Sequence, residues 1–123
     1  MIVGIGVDVV QIDRMEKSLA SPAFWRRVFG EQEQQFLQTK SGQRLYHSAA
    51  ANFAAKEAFL KAAGRGLGGF ALAEIQLLRQ PDGKPYFHLE GQAAEWLAQQ
   101  GARVHVSVCH DGGIAQAFVV VEQ

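Results

Sequence analysis

The sequence predicts a mixed domain, mostly helical in its first half and built of hairpin strands in its second. Three observations carry this reading. An alanine-rich run from Ser48 to Ala63 contains neither Gly nor Pro, and Ala, Leu, Lys and Glu are the strongest helix formers. Ile2 to Val10 instead alternates, with Val3, Ile5, Val7 and Val9 on one face and Gly4, Gly6 and Asp8 on the other, which is the period of a strand. Pro81-Asp82-Gly83-Lys84-Pro85 separates two short apolar runs, and this turn chemistry predicts a hairpin.

The glycine face of the first strand is open to another backbone or a ligand, and the side chain that follows the glycines is the Asp8 carboxylate. Gln11 to Leu19 reads as a short helix burying Ile12, Met15 and Leu19. Ser21-Pro22 starts a second helix, with Ser as N-cap and Pro in the first turn, and Gly30 is placed to end it. Glu31 to Thr39 is a third, followed by a Lys40-Ser41-Gly42 loop. The long helix begins near Gln43, and its many alanines let another backbone approach closely. Glu57 and Lys61 are four apart on it, so they are expected to pair one turn apart, a contact worth about 0.3–0.5 kcal/mol on an exposed face. Gly64-Arg65-Gly66-Leu67-Gly68-Gly69 forms its exit. Ile75 to Leu78 and Tyr86 to Leu89 are the hairpin strands, and Glu90 to Gln100 is a helix burying Ala94, Trp96 and Leu97, stopped by Gly101. Arg103 to Cys109 alternates again, and Asp111-Gly112-Gly113 turns the chain into a last strand, Ile114 to Val121.

At 123 residues the chain fits one domain, 1–123, with one real core. Twelve basic and twelve acidic residues cancel, which argues against whole-molecule attraction to nucleic acid or to an anionic membrane. No apolar run approaches the length of a membrane span. Arg14, Lys17, Arg26 and Arg27 make one region locally basic; it is either a solvated helix face or a docking surface for an acidic partner. The single cysteine, Cys109, excludes an internal disulfide and suits a reducing compartment. With no signal-type segment at its start, the chain is expected to be cytoplasmic.

Three stretches together resemble a known family. Gly4-Ile5-Gly6-Val7-Asp8-Val9-Val10 is similar to the first signature of the 4′-phosphopantetheinyl transferases, specifically the small holo-(acyl-carrier-protein) synthases. Phe53-Ala54-Ala55-Lys56-Glu57-Ala58, with Lys61-Ala62 and Gly64-Arg65-Gly66, resembles their second. Gly83-Lys84-Pro85-Tyr86 and Val106-Ser107-Val108-Cys109-His110-Asp111 resemble weaker later motifs, so the likeness spans essentially the whole chain. It implies an α+β fold, an antiparallel sheet packed against helices, assembled as a homotrimer. It also implies an enzyme that moves phosphopantetheine from coenzyme A to a serine of apo-acyl carrier protein, for fatty acid biosynthesis, leaving adenosine 3′,5′-bisphosphate.

Those residues suit that chemistry. Mg²⁺ is usually held by one or two carboxylates together with phosphate oxygens and water, which Asp8 and Glu57 would supply. Lys61 adds a cation against the same phosphates. The base is Glu57 or a water on the metal. Gly64 and Gly66 would offer main-chain N–H groups to the pyrophosphate. Lys84, Pro85, Ser107 and His110 match the family's nucleotide end, where the adenine and 3′-phosphate of coenzyme A sit. By analogy with longer, two-lobed relatives, Asp8, Glu57 and Lys61 come from one subunit and His110 from its neighbour. The chain departs from the pattern at Asn52, where many members carry an Arg, at Cys109, which replaces a hydroxyl residue, and at Gln11, where an acidic residue is frequent. Val10 also stands where larger relatives carry an extra carboxylate. The competing readings are an Mg²⁺-dependent nucleotide phosphohydrolase using the same carboxylates, and a silent trimeric module that only binds carrier protein.

Overall fold

One long helix packed on a three-stranded antiparallel sheet sets the architecture. The structure is a computed structural model that describes residues 1–66 and 69–123. Strand β1 (Ile2–Gln11) leads into three short helices, α1 (Ile12–Ser18), α2 (Pro22–Val28) and α3 (Glu31–Leu37). The long helix α4 (Gly42–Ala62) follows, then a 3₁₀ turn (Leu72–Glu74), the hairpin β2 (Ile75–Arg79) and β3 (Pro85–Leu89), helix α5 (Gly91–Gln99), and strands β4 (Arg103–Asp111) and β5 (Ile114–Glu122). The predicted elements are all present. Where one antiparallel sheet was expected there are two, ordered β1-β5-β4 and β2-β3. The glycine-rich exit after α4 is described except for Leu67 and Gly68, which lie outside the described residues.

Local chemistry accounts for most boundaries. Ser21 Oγ accepts from the Phe24 N–H and caps α2, with Pro22 in its first turn. Gly30, expected to end α2, instead opens α3 from an extended conformation, and its N–H donates to Glu33 Oε1 at 3.2 Å. Gly64 adopts φ +70°, a left-handed conformation that glycine tolerates. It closes α4 through hydrogen bonds from Gly64 N to Lys61 O (3.0 Å) and from Arg65 N to Leu60 O (2.8 Å). On α5 the buried residues are Ala93 and Trp96, while Ala94 and Leu97 are half-buried.

The sheet meets α4 through small residues. A Cβ on Gly4 would overlap the Ala62 carbonyl oxygen, and one on Gly6 the Ala58 carbonyl oxygen. The open face of β1 is therefore filled by helix backbone. Beside it, Ala115 and Ala117 of the central strand β5 are fully covered. The opposite face of the sheet is apolar yet uncovered: Ile5 is 60% exposed, Val9 53% and Phe118 46%. The aromatic part of the core lies at the far end of α4, where Phe59 packs against Phe70, Phe87 and Trp96 with ring centroids 6.2, 5.4 and 6.0 Å away.

A buried polar network ties α4 to α3 and β2. Glu33 and Lys56 are both fully buried and form an ion pair. The Glu33 carboxylate also accepts from the N–H groups of Gly30 and Leu77 and from Asn52 Nδ2. Lys56 Nζ uses its remaining protons on the carbonyls of Leu72 (2.9 Å) and Ile75 (2.6 Å). Among the described residues no buried side-chain polar atom lacks a partner. Burial pushes Glu33 up from the ordinary carboxylate range and Lys56 down from the ordinary ammonium range, while each partner's charge opposes the shift.

Lys56→Met should cost about 3–5 kcal/mol, because it strands the Glu33 charge in the core. A carboxyl whose folded pKa lies above its unfolded value favours folding at acid pH, and that advantage disappears as pH rises through the folded pKa. The deficit of the variant against the unsubstituted protein should therefore shrink as pH falls and Glu33 takes up a proton. Urea unfolding of both proteins at several pH values measures it; a pH-independent deficit would mean that Glu33 is not the stranded group.

Candidate active site

Asp8 sits in the middle of β1, opposite Ala117 of β5, and its side chain projects on the helix-packed face beside the two glycines. Because Gly4 and Gly6 bring that strand against the backbone of α4, Asp8 meets the residues just after the buried Lys56. Lys61 Nζ donates to Asp8 Oδ1 at 3.2 Å and to the Val7 carbonyl at 2.9 Å. The expected Glu57–Lys61 pair does not form, for Lys61 finds two acceptors on the neighbouring strand. Asp8 is mostly covered and Lys61 mostly open, so the ammonium stands at the rim.

Glu57 is half-buried on the same face of α4. Its carboxyl is raised above the ordinary range by burial first and by the Asp8 charge second, with Lys61 pulling the other way. Asp8 and Glu57 both line a cavity of about 610 Å³, walled by Val10, Arg14, Met15, Phe24, Phe53 and Ile114 among others. Two carboxylates whose charges oppose one another, beside a single ammonium, make a setting that suits a divalent cation. Among the described residues no cluster of three or more His, Cys, Asp or Glu could hold a metal ion. A cation here would therefore need oxygens from substrate or water as well, which is how Mg²⁺ is commonly bound.

The remaining predicted residues divide between this cavity and other places. Arg14 lines the cavity itself. Lys17, Arg26 and Arg27 are exposed on α1 and α2; Arg27 lies over the Phe24 ring, 5.8 Å from its centroid, and Arg26 borders a separate groove beside Trp25. The Gly64 N–H is consumed by the helix cap, so it is not a free pyrophosphate donor; Gly66 is exposed. Lys84, in the hairpin turn, and Pro85, opening β3, line neither this cavity nor the one beside His110. Ser107 is exposed on β4, on the face away from α4, opposite Phe118.

His110 is the last-but-one residue of β4 and stacks on His47 of α4, with ring centroids 4.5 Å apart. It lines a second cavity of about 210 Å³ with His47, Ser48, Arg79 and Cys109. This cavity shares no lining residue with the one holding Asp8 and Glu57. Sequence reasoning missed His47, Arg79 and the buried pair. The pair had a signal: Ala49, Asn52, Lys56 and Phe59 recur at helical spacing, which put two polar side chains on an otherwise apolar stripe.

Residues 4–110 match the family described as ACPS, the 4′-phosphopantetheinyl transferase superfamily. The chain belongs to that superfamily. Within it the likeness is to holo-[acyl-carrier-protein] synthases. The chain is 42% identical to that of Salinispora arenicola over 126 residues, covering all of both chains, and 37% identical to that of Treponema denticola over 123 residues, covering 99% of each. Among solved structures it resembles the synthase of Neisseria meningitidis, with a TM-score of 0.87 and 34% identity over the full length of both. It also resembles that of Bacillus anthracis in complex with CoA (3′,5′-ADP), with a TM-score of 0.85 and 35% identity, covering 100% of this chain and 98% of that one.

Glu57 should respond in opposite senses to the loss of its two charged neighbours. Asp8→Asn removes a negative charge and should lower the Glu57 pKa, whereas Lys61→Ala removes a positive one and should raise it. Carboxyl-carbon NMR titration of Glu57 in each variant reads both signs; shifts in the opposite directions would overturn the arrangement.

Proposed function

We infer that this protein transfers 4′-phosphopantetheine from coenzyme A to a serine hydroxyl of an apo-acyl carrier protein. The reading is carried by one observation: Asp8 and Glu57 line a single cavity, with Lys61 bonded to Asp8 at its rim, in a chain that matches the superfamily over 4–110. The carrier serine oxygen forms a bond to the phosphorus that bears the pantetheine arm. The pyrophosphate P–O bond breaks, adenosine 3′,5′-bisphosphate leaves, and the serine proton passes to a base.

Mg²⁺, when bound, would neutralise the pyrophosphate and stabilise charge on the leaving phosphate. Asp8 and Glu57 are the residues that would hold it. Lys61, at the rim, sets a cation against the same phosphates. Glu57 is the side chain whose raised pKa suits a proton acceptor. The apolar side chains of Met15, Phe24 and Phe53 wall one side of the cavity, and a low-dielectric wall strengthens charge interactions beside it. Arg14, which lines the cavity, and Lys17, Arg26 and Arg27 form the surface offered to an acidic carrier; steering by such a patch does not need a net positive protein. A cytoplasmic location agrees with the lone unpaired Cys109.

Incubation with coenzyme A, Mg²⁺ and apo-acyl carrier protein should yield a carrier heavier by one phosphopantetheine in the mass spectrum. Asp8→Ala and Glu57→Ala should abolish the product while keeping the fold. Full activity in either variant, with unchanged dependence on the metal, would sink the assignment.

We further propose that the protein works as a homotrimer with sites between subunits. Two features support this. The uncovered face of the sheet carries Ile5, Val7, Val9 and Phe118, an apolar patch of the kind that marks an interface. Asp8 and Glu57 also line one cavity of the chain and His110 another, as they would if each active site took one half from each of two neighbours. Coenzyme A would then span Lys61 and Gly66 on one subunit and Lys84, Pro85, Ser107 and His110 on the next. Mixed assemblies of an inactive Glu57→Ala chain and an inactive His110→Ala chain should regain part of the activity. Wild-type turnover by a demonstrated monomer would exclude sharing.

A further inference from the structure

The cavity beside His110 is bordered by a guanidinium that the reaction chemistry does not use. Arg79, the last residue of β2, lines it with His47, Ser48 and His110. A neighbouring concavity, which shares His47, Ser48 and His110, adds Lys40 and Arg44. Among the residues lining the two there are three permanent cations, two histidines and no carboxylate. Such a lining selects an anion.

Arg79 is held ready for one. Its Nη2 donates to Asn52 Oδ1 at 2.9 Å, and its guanidinium lies 5.1 Å from the centroid of the Phe36 ring. Asn52 is itself locked, fully buried, by donating to Glu33 Oε2 and to the Leu77 carbonyl. The remaining contact of the guanidinium, Nη1 to the Leu78 carbonyl, is long at 3.5 Å. A guanidinium has five donors in a fixed plane, so most of this fork stays available to a second acceptor. Restraint of a planar cation by stacking and one hydrogen bond reduces the entropy lost when it grips phosphate. From α4, the Asn52 amide oxygen thus orients an arginine arriving from β2.

We propose that Arg79 is a binding residue for the 3′-phosphate of coenzyme A, positioned by Asn52, and that it sets the preference for substrates carrying that phosphate. The proposal rests on the transfer reaction inferred above and deepens it. A phosphate monoester fits this place because it presents several acceptor oxygens to the Arg79 fork, with the His47–His110 stack beside it. The transferred group is attached at the other end of the molecule, so Arg79 acts on binding and leaves the chemical step alone.

The test compares coenzyme A with 3′-dephospho-coenzyme A as donors for the assembled protein and for Arg79→Ala and Arg79→Lys. Loss of charge-assisted hydrogen bonds should raise the KM for coenzyme A by roughly 10- to 100-fold in Arg79→Ala. Its kcat and its KM for the dephospho donor should hold, and Arg79→Lys should fall between. Equal losses with both donors, or no loss with either, would make Arg79 a packing residue on Phe36 and overturn the proposal. Calorimetric binding of adenosine 3′,5′-bisphosphate and adenosine 5′-monophosphate decides the same point without turnover. The unsubstituted protein should prefer the bisphosphate, and Arg79→Ala should lose most of that preference; an unchanged preference would overturn the proposal. If the unsubstituted protein moves nothing from coenzyme A to the carrier, the transfer reading falls, while the binding comparison still reports on Arg79.

Discussion

The Glu33–Lys56 pair is the constraint from which the rest of the molecule follows. Two charges removed from water carry a desolvation cost that their attraction barely offsets, so net stability is a poor account of their presence. Direction is the better one. Lys56 Nζ has three protons and three acceptors, one on α3 and two around the start of β2. Only one rotation of α4 about its axis satisfies all of them. Successive helical residues are turned by about 100°, so fixing Lys56 toward α3 and β2 swings Glu57 round to the cavity. Lys61, a turn further along, then reaches Asp8.

The opposite side of α4 is fixed by size. Gly4, Gly6, Ala58, Ala62, Ala115 and Ala117 form a seam in which strand and helix backbones nearly touch. Larger side chains on β1 would lift the strand away and carry Asp8 with it. The reacting groups therefore sit at the meeting of a polar anchor and a small-residue seam. The same network reaches the surface at its other end, through Asn52 to Arg79.

Much of this was legible from the residues. The alternation in β1 identified its two faces, and the glycines left one of them open to another backbone or a ligand. The Gly- and Pro-free alanine run marked α4, and Pro81 to Pro85 marked the hairpin. What escaped depended on contacts between residues far apart in the chain. Lys61 has Glu57 as its helical neighbour by spacing, yet it bonds to Asp8, 53 residues away. Glu33 reads as one more solvated helix carboxylate until Asn52, Lys56 and Leu77 close over it. Gly30 sits between two helices and is compatible with ending one or opening the next; the reach of the Glu33 side chain decides it. Local pattern fixes which residues are helical, but it does not say which buried carboxylate waits for which lysine.

The strand order has a consequence for how the chain acquires its shape. Among the described residues β1 comes first, but its one ladder partner is β5, which comes after all the other elements and also lies between β1 and β4. On a ribosome β1 would emerge with its apolar residues and its backbone donors unpaired, and would remain so until the final strand was made. Pairing across such a separation in sequence slows folding and prolongs the exposure of unsatisfied edges. The three-stranded sheet is thus closed from its middle by the strand made latest of the three.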